Sequence, residues 1–123
     1  MAEPPKKRIL VVDDEEPIRD SMRAVIEALG VEVLTAHDGA TAIVQLRKGH
    51  LALVVLDLGL PGISGIRVLE WMSSHAHDVP VLVVSGLENA PNVLLRFPNL
   101  VKIQQKKPVP NDLLEHLVET YAL

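Results

Sequence analysis

The chain contains no cysteine, which excludes a disulfide framework and any thiolate nucleophile or thiolate metal site. It has no apolar run near the roughly 18–20 residues a membrane-crossing helix needs. A strong charge of either sign is also missing. The net charge of −4, from 12 Lys and Arg against 16 Asp and Glu, gives no electrostatic reason to expect nucleic-acid binding. Neither G-x-x-x-x-G-K-[ST] nor G-x-G-x-x-G follows the first apolar run, so a nucleotide-phosphate loop is excluded. The start, Met1-Ala2-Glu3-Pro4-Pro5-Lys6-Lys7-Arg8, is basic but precedes only a four-residue apolar run. That is not a signal peptide, and its three cations read as part of a solvated leader rather than a phosphate-binding arm.

What is present is 123 residues, 48% of them hydrophobic. That suits one domain with one substantial core and argues against disorder. The expectation is a flexible leader over 1–7 and a soluble, cytoplasmic domain over 8–123 with no membrane association. Short apolar runs alternate with amphipathic stretches. Ile9-Leu10-Val11-Val12 is wholly aliphatic and stops at two aspartates, as a buried parallel strand does. Ile18, Met22, Val25, Ile26 and Leu29 then recur on one helical face, with Glu15, Glu16 and Pro17 at its start and Gly30 as its stop. Val31 to Ala36 reads as a second strand. Asp38 caps a second helix carrying Ile43 and Leu46. Leu51 to Leu56 is a third strand ending at Asp57, and Ser64 caps a third helix with Ile66, Leu69 and Met72. Val79 to Val84 is a fourth strand ending at Ser85.

The fifth unit is weaker. Pro91 and Pro98 bracket about two turns, Asn92 to Phe97, where a helix is needed. Leu100 to Gln104 is a polar-interrupted strand, and a last helix carries Leu113, Leu114, Leu117, Val118 and Tyr121. Repeated βα units predict an α/β fold: a five-stranded parallel sheet between helices, in three layers. The aliphatic runs one, three and four belong at its centre and the interrupted runs two and five at its edges. This is the flavodoxin-like order 2-1-3-4-5, with ligands at the carboxyl ends near the switch point between the first and third strands.

Residues that follow those strands converge on one rim: Asp13 and Asp14, Asp57, Ser85, and Lys106 with Lys107. Three carboxylates at one place repel unless a cation joins them. Hard oxygen ligands with open water positions suit Mg²⁺, with Mn²⁺ as a substitute. A lysine and a hydroxyl add a positive charge and a donor for an anion, and a phosphoryl group carried on one aspartate completes the set. Each residue also has a plainer reading: Asp57 beginning a turn, Asp13 and Asp14 capping the first helix, Ser85 with Gly86 making a turn. The histidines His37, His50, His75, His77 and His116 are scattered, and His75 and His77, two apart, do not share a helix face. Trp71 reads as partly packed against apolar neighbours rather than as a ligand site.

Four pieces in order, Val11-Val12-Asp13-Asp14-Glu15, Leu56-Asp57-Leu58-Gly59-Leu60-Pro61-Gly62 with Gly65, Val83-Val84-Ser85-Gly86, and Lys107-Pro108, resemble the response-regulator receiver domain over essentially the whole chain. The resemblance implies that Asp57 takes a phosphoryl group from a phosphohistidine on a sensor histidine kinase or a histidine phosphotransfer protein. It implies Mg²⁺ on Asp14, the Asp57 carboxylate and the backbone carbonyl of Gly59, with Asp13 helping directly or through water. Lys107, selected over Lys106 by the adjacent Pro108, neutralises the phosphoryl oxygens across a cis Lys107-Pro108 bond, and Ser85 swings to the phosphate. Pro61, Gly62, Gly65 and Pro108 shape turns, while Gly59 and Leu87 flank the acceptor and set water access. The module is expected to be monomeric or a weak homodimer and not a turnover enzyme. The alternatives are a bare interaction module with the same fold, or an aspartyl-phosphate phosphatase. Against the phosphatase, the place two residues after Asp57 holds Gly59 and no second aspartate.

The chain departs from the family pattern on one face. Where the family places an aromatic, three residues before the lysine, this chain has Gln104, and Phe97-Pro98-Asn99-Leu100 replaces the usual small residues before the fifth strand. Phosphorylation chemistry is expected to be kept, with output coupling that differs from the aromatic-switch form.

Overall fold

A computed structural model of the chain describes residues 7–75, 78–86 and 91–123. The reading of 1–7 as a leader therefore falls almost wholly outside the described residues, as do His77 and Leu87. The elements run β1 (Arg8–Val12), α1 (Glu16–Glu27), β2 (Glu32–Ala36), α2 (Gly39–Lys48), β3 (Leu51–Asp57), α3 (Gly65–Ser74), β4 (Val81–Ser85), α4 (Val93–Arg96), β5 (Val101–Lys106) and α5 (Asn111–Tyr121). The strands form one parallel sheet in the order β2-β1-β3-β4-β5, as the apolar runs predict. Aliphatic strands occupy the middle because both their faces must be covered.

Alternation along those strands feeds two cores. Leu10, Val12, Val54, Leu56, Val81 and Val83 face α2, α3 and α4, meeting Leu46, Leu69, Met72 and Val93. Ile9, Val11, Leu53, Val55, Leu82 and Val84 face α1 and α5, meeting Met22, Ile26, Leu114 and Val118. Each leucine or isoleucine so enclosed contributes about 1.5–3 kcal/mol relative to exposure, and this anchors the strand ends from which the site is built.

The helix starts follow local chemistry. The Asp38 side chain accepts from the Thr41 amide at 2.7 Å, and that bond holds its carboxyl below the usual carboxylate range. Ser64 caps α3 through the Arg67 amide at 3.4 Å. Gly30, past the end of α1, has φ +83°, a conformation that favours glycine. Trp71 packs partly against the core and stacks on His75 with ring centroids 4.3 Å apart.

Several boundaries differ from the periodicity. The second strand begins at Glu32 rather than Val31. The fourth begins at Val81 rather than Val79, since Pro80 has no N–H to place in the ladder. The fifth is Val101–Lys106 rather than Leu100–Gln104, so Lys106 closes the strand beside Ser85 instead of following it. The fourth helix is a single turn, Val93–Arg96, not two, because Phe97 already leaves helical geometry with ψ 61° ahead of Pro98.

Candidate functional site

The carboxyl ends of β1 and β3 lie side by side, Val12 opposite Leu56 in register. The residues that follow each strand therefore share one rim. Asp13 continues β1 and is fully enclosed, while Asp57 ends β3 at 4% exposure. Asp14 faces solvent. One carboxylate oxygen from each of the three lies within 4.8 Å of the others, so the structure brings together the acidic residues expected from the sequence.

Every polar group of Asp13 is engaged. Its amide donates to the Ala36 carbonyl at 3.1 Å, and its carbonyl accepts from Arg19 Nη1 at 2.7 Å. Its Oδ1 accepts from the Glu15 amide at 2.9 Å, and Oδ2 lies 2.8 Å from Lys107 Nζ. Apart from the lysine, this buried Oδ2 has no hydrogen-bond partner. Burial raises the Asp13 pKa, and the Asp57 charge adds to the rise. The Lys107 and Glu15 hydrogen bonds pull the other way. The alternative reading of Asp13 as a helix cap is not what the structure shows: Glu15 is the N-cap residue of α1, and no side chain caps the helix there.

Asp57 is held from two sides. Its Oδ1 accepts from the Gly59 amide at 2.9 Å, and its Oδ2 accepts from Lys107 Nζ at 3.0 Å. Lys107 reaches both buried aspartates because its amide bonds to the Ser85 carbonyl at 2.9 Å, tying the end of β5 to β4. Burial opposes its charge, but the hydrogen bonds to Asp13 and Asp57 outweigh that and hold its pKa above the ordinary lysine value. Lys106 is exposed at the strand end. Ser85, 3% exposed, stands one residue past Val84, the register partner of Asp57. The Lys107-Pro108 bond is cis.

The turn after β3 assigns different duties to its glycines. Gly62 has φ +69°, which favours glycine. At Gly65 an added Cβ would fall on the Asp57 carbonyl oxygen and within 2.7 Å of Leu58 Cα. Both are backbone, so neither can yield cheaply. Gly65→Ala is therefore expected to lose about 3 kcal/mol of stability, read as a lower urea midpoint at unchanged slope, with the Asp57 backbone pushed off position. Gly59 is different. It is exposed, and a Cβ there would meet only Asp57 Oδ1, at 3.6 Å. Backbone geometry thus does not require glycine at 59. Its small size leaves one side of the acceptor open. Pro61 is exposed in the same loop.

Two contributors escape sequence reasoning. Glu15 Oε2 lies 3.6 Å from Lys107 Nζ, and Arg19 clamps the Asp13 carbonyl from the first turns of α1. The one signal for Arg19 in the sequence is a cation about one helical turn beyond the acidic run. In the sequence Gln104 is visible only as a departure from the expected aromatic. Its side chain accepts from the Val93 amide at 3.0 Å and donates to the Pro91 carbonyl at 2.8 Å.

The donor set suits a small divalent cation: carboxylate oxygens only, one of them buried and short of hydrogen bonds, one solvent-facing, and no nitrogen or sulfur ligand among them.

A family model described as the response regulator receiver domain matches residues 9–117. A probable transcriptional regulator, ycf27, of Porphyra purpurea is 38% identical over 82 residues, covering 67% of this chain and 33% of that protein. The response regulator MprA of Mycobacterium avium is 34% identical over 82 residues, covering 67% of this chain and 36% of that protein. The chain thus spans about a third of the length of these curated relatives. Among solved structures, the response regulator TrrA from Thermotoga maritima in complex with Mg²⁺-BeF superposes with a TM-score of 0.78 at 28% identity. The match covers 93% of this chain and 97% of that one.

Proposed function

The chain belongs to the response regulator receiver domain family, and from that premise we propose that Asp57 accepts a phosphoryl group in a Mg²⁺-dependent reaction. The single observation that carries this reading is the meeting of Asp13, Asp14 and Asp57 with the Lys107 ammonium at the carboxyl-end rim of the sheet. The donor is a phosphohistidine on a sensor histidine kinase or a histidine phosphotransfer protein. An Asp57 carboxylate oxygen attacks phosphorus, the phosphorus–nitrogen bond breaks, and its electron pair leaves on the imidazole. Such a transfer needs charge neutralisation and positioning more than acid–base groups, and none of the site residues is a histidine.

Asp13, Asp14, the Asp57 carboxylate and the Gly59 carbonyl would hold Mg²⁺, or Mn²⁺ in its place. The bound ion supplies neutralisation of the charge spread over the phosphoryl oxygens. Lys107, already on Asp57 Oδ2, turns its ammonium to the new phosphoryl oxygens, and the Ser85 hydroxyl donates to another. Arg19 and the Glu15 amide keep Asp13 fixed while this occurs.

The module signals by changing which partners it binds and is not a turnover enzyme. Gly59 provides no carboxylate for the hydrolytic step of an aspartyl-phosphate phosphatase. Among the described residues no helix is long and apolar enough to cross a membrane; the proposed place of action is the cytoplasm. The test is incubation with Mg²⁺ and a small phosphodonor, followed by intact mass. One added phosphate that requires the divalent ion is expected. No addition would leave only the bare interaction module, and steady phosphate release from many esters would reveal a phosphatase.

A further inference from the structure

The α4 turn is too short to stand alone, since one hydrogen-bonded turn fixes several residues for little return. Its first amides would also lack partners. Two side chains supply them. Asn92 Oδ1 accepts from the Leu95 amide at 3.3 Å, and Gln104, from the neighbouring strand, accepts from the Val93 amide at 3.0 Å. The same Gln104 amide donates to the Pro91 carbonyl at 2.8 Å.

Gln104 lies in β5 opposite Val83, and β5 pairs with β4 alone, at the sheet's edge. With one acceptor and one donor in a single plane, its carboxamide mimics a peptide group. It stitches the start of α4 to the strand as an extra rung. The stitched segment is anchored elsewhere as well. Val93 is 1% exposed in the core, and Arg96 pairs with Glu70 of α3 at 3.5 Å while its guanidinium lies over the Phe97 ring. Turning the Gln104 side chain away would strand both Val93 N–H and Pro91 C=O at once.

We propose that Gln104 is a strap that holds the entry to α4 against β5 in every state of Asp57, so that phosphorylation leaves the α4–β5 surface unchanged. The second half of this rests on the phosphoacceptor reading, and the experiment separates the two. Backbone amides are followed by NMR hydrogen exchange and chemical shift in the wild type, with and without Mg²⁺ and beryllofluoride as the phosphoryl mimic, and in two variants. Gln104→Leu removes both bonds at similar size. Gln104→Glu keeps an acceptor for Val93 but places an oxygen against the Pro91 carbonyl.

The strap predicts that the Val93 amide exchanges about tenfold or more faster in Gln104→Leu, with Gln104→Glu between that variant and wild type. It also predicts that Mg²⁺-beryllofluoride shifts the Gly59 amide, which bonds Asp57 Oδ1, while Val93 exchange stays within about twofold of its free value. If Gly59 responds and Val93 loses protection, the constant surface is refuted. If Gln104→Leu leaves Val93 as protected as before, there is no strap. A silent Gly59 would instead sink the phosphoacceptor reading, and the Gln104→Leu arm, which needs no mimic, would still decide whether the strap exists.

Discussion

Alanine at position 57 is expected to abolish phosphate uptake from small donors altogether while leaving the fold intact. Asp57 ends β3 and is nearly enclosed, yet its carboxylate does little for the core, because Leu53, Val54, Val55 and Leu56 before it are already buried. Its removal costs the hydrogen bonds from Gly59 and Lys107 but takes away a negative charge that raises the pKa of Asp13. Lys107 keeps its 2.8 Å partner in Asp13. The melting temperature of Asp57→Ala without divalent ions should therefore not fall below that of wild type. What should disappear is stabilisation by Mg²⁺, since a ligand raises stability only as far as it binds the native state. Mass spectrometry and a Mg²⁺ titration followed by thermal melting read the two halves. Persistent phosphorylation in this variant would mean that another residue is the acceptor.

Methionine in place of Lys107 has the opposite character: the largest expected loss is of stability. Its ammonium, with a side chain 18% exposed, neutralises two carboxylates that are 1% and 5% exposed. Deleting one member of such a cluster leaves uncompensated buried charge, a loss of about 3 kcal/mol. Because the Lys107 hydrogen bond is the largest of the contacts that lower the Asp13 pKa against the effect of burial, the variant's Asp13 carboxyl should rise further above its ordinary 3.8. A carboxyl raised in the native state favours folding when protonated. The variant should thus regain stability as pH falls toward 3.8 and lose it as pH climbs through the raised native value. Mg²⁺ should restore it at neutral pH by replacing the missing charge. Urea unfolding at neutral and acid pH, with and without Mg²⁺, decides the matter. A variant as stable as wild type at neutral pH in chelator would contradict the electrostatic account.

The residues at the heart of the site were legible because parallel topology is legible. Wholly aliphatic runs that stop at Asp13 and Asp57 announce central strands, and central parallel strands deliver their last residues to one edge. Lys107 was harder, since Lys106 has the same charge. What separates them is that Lys106 ends β5 exposed while Lys107 turns inward, a difference of one residue in strand length that periodicity does not resolve. The resemblance supplied Pro108 as the discriminator. The contributions of Glu15, Arg19 and Gln104 are hydrogen bonds and ion contacts made across elements, and no spacing rule in one chain segment encodes them. The fourth helix shrank to one turn for a similar reason: the flanking prolines were visible, but the geometry of Phe97 was not.

The place of Lys107 in the order of the chain has a consequence for synthesis on the ribosome. Asp13 and Asp57 emerge long before the residue that balances them, so a nascent chain ending short of β5 holds two carboxylates at the rim without Lys107 to pair with them. The rim can close only once Lys107 has emerged and its amide has found the Ser85 carbonyl. Closure of the rim is in this way deferred until the whole of β5 and the residue after it have been made.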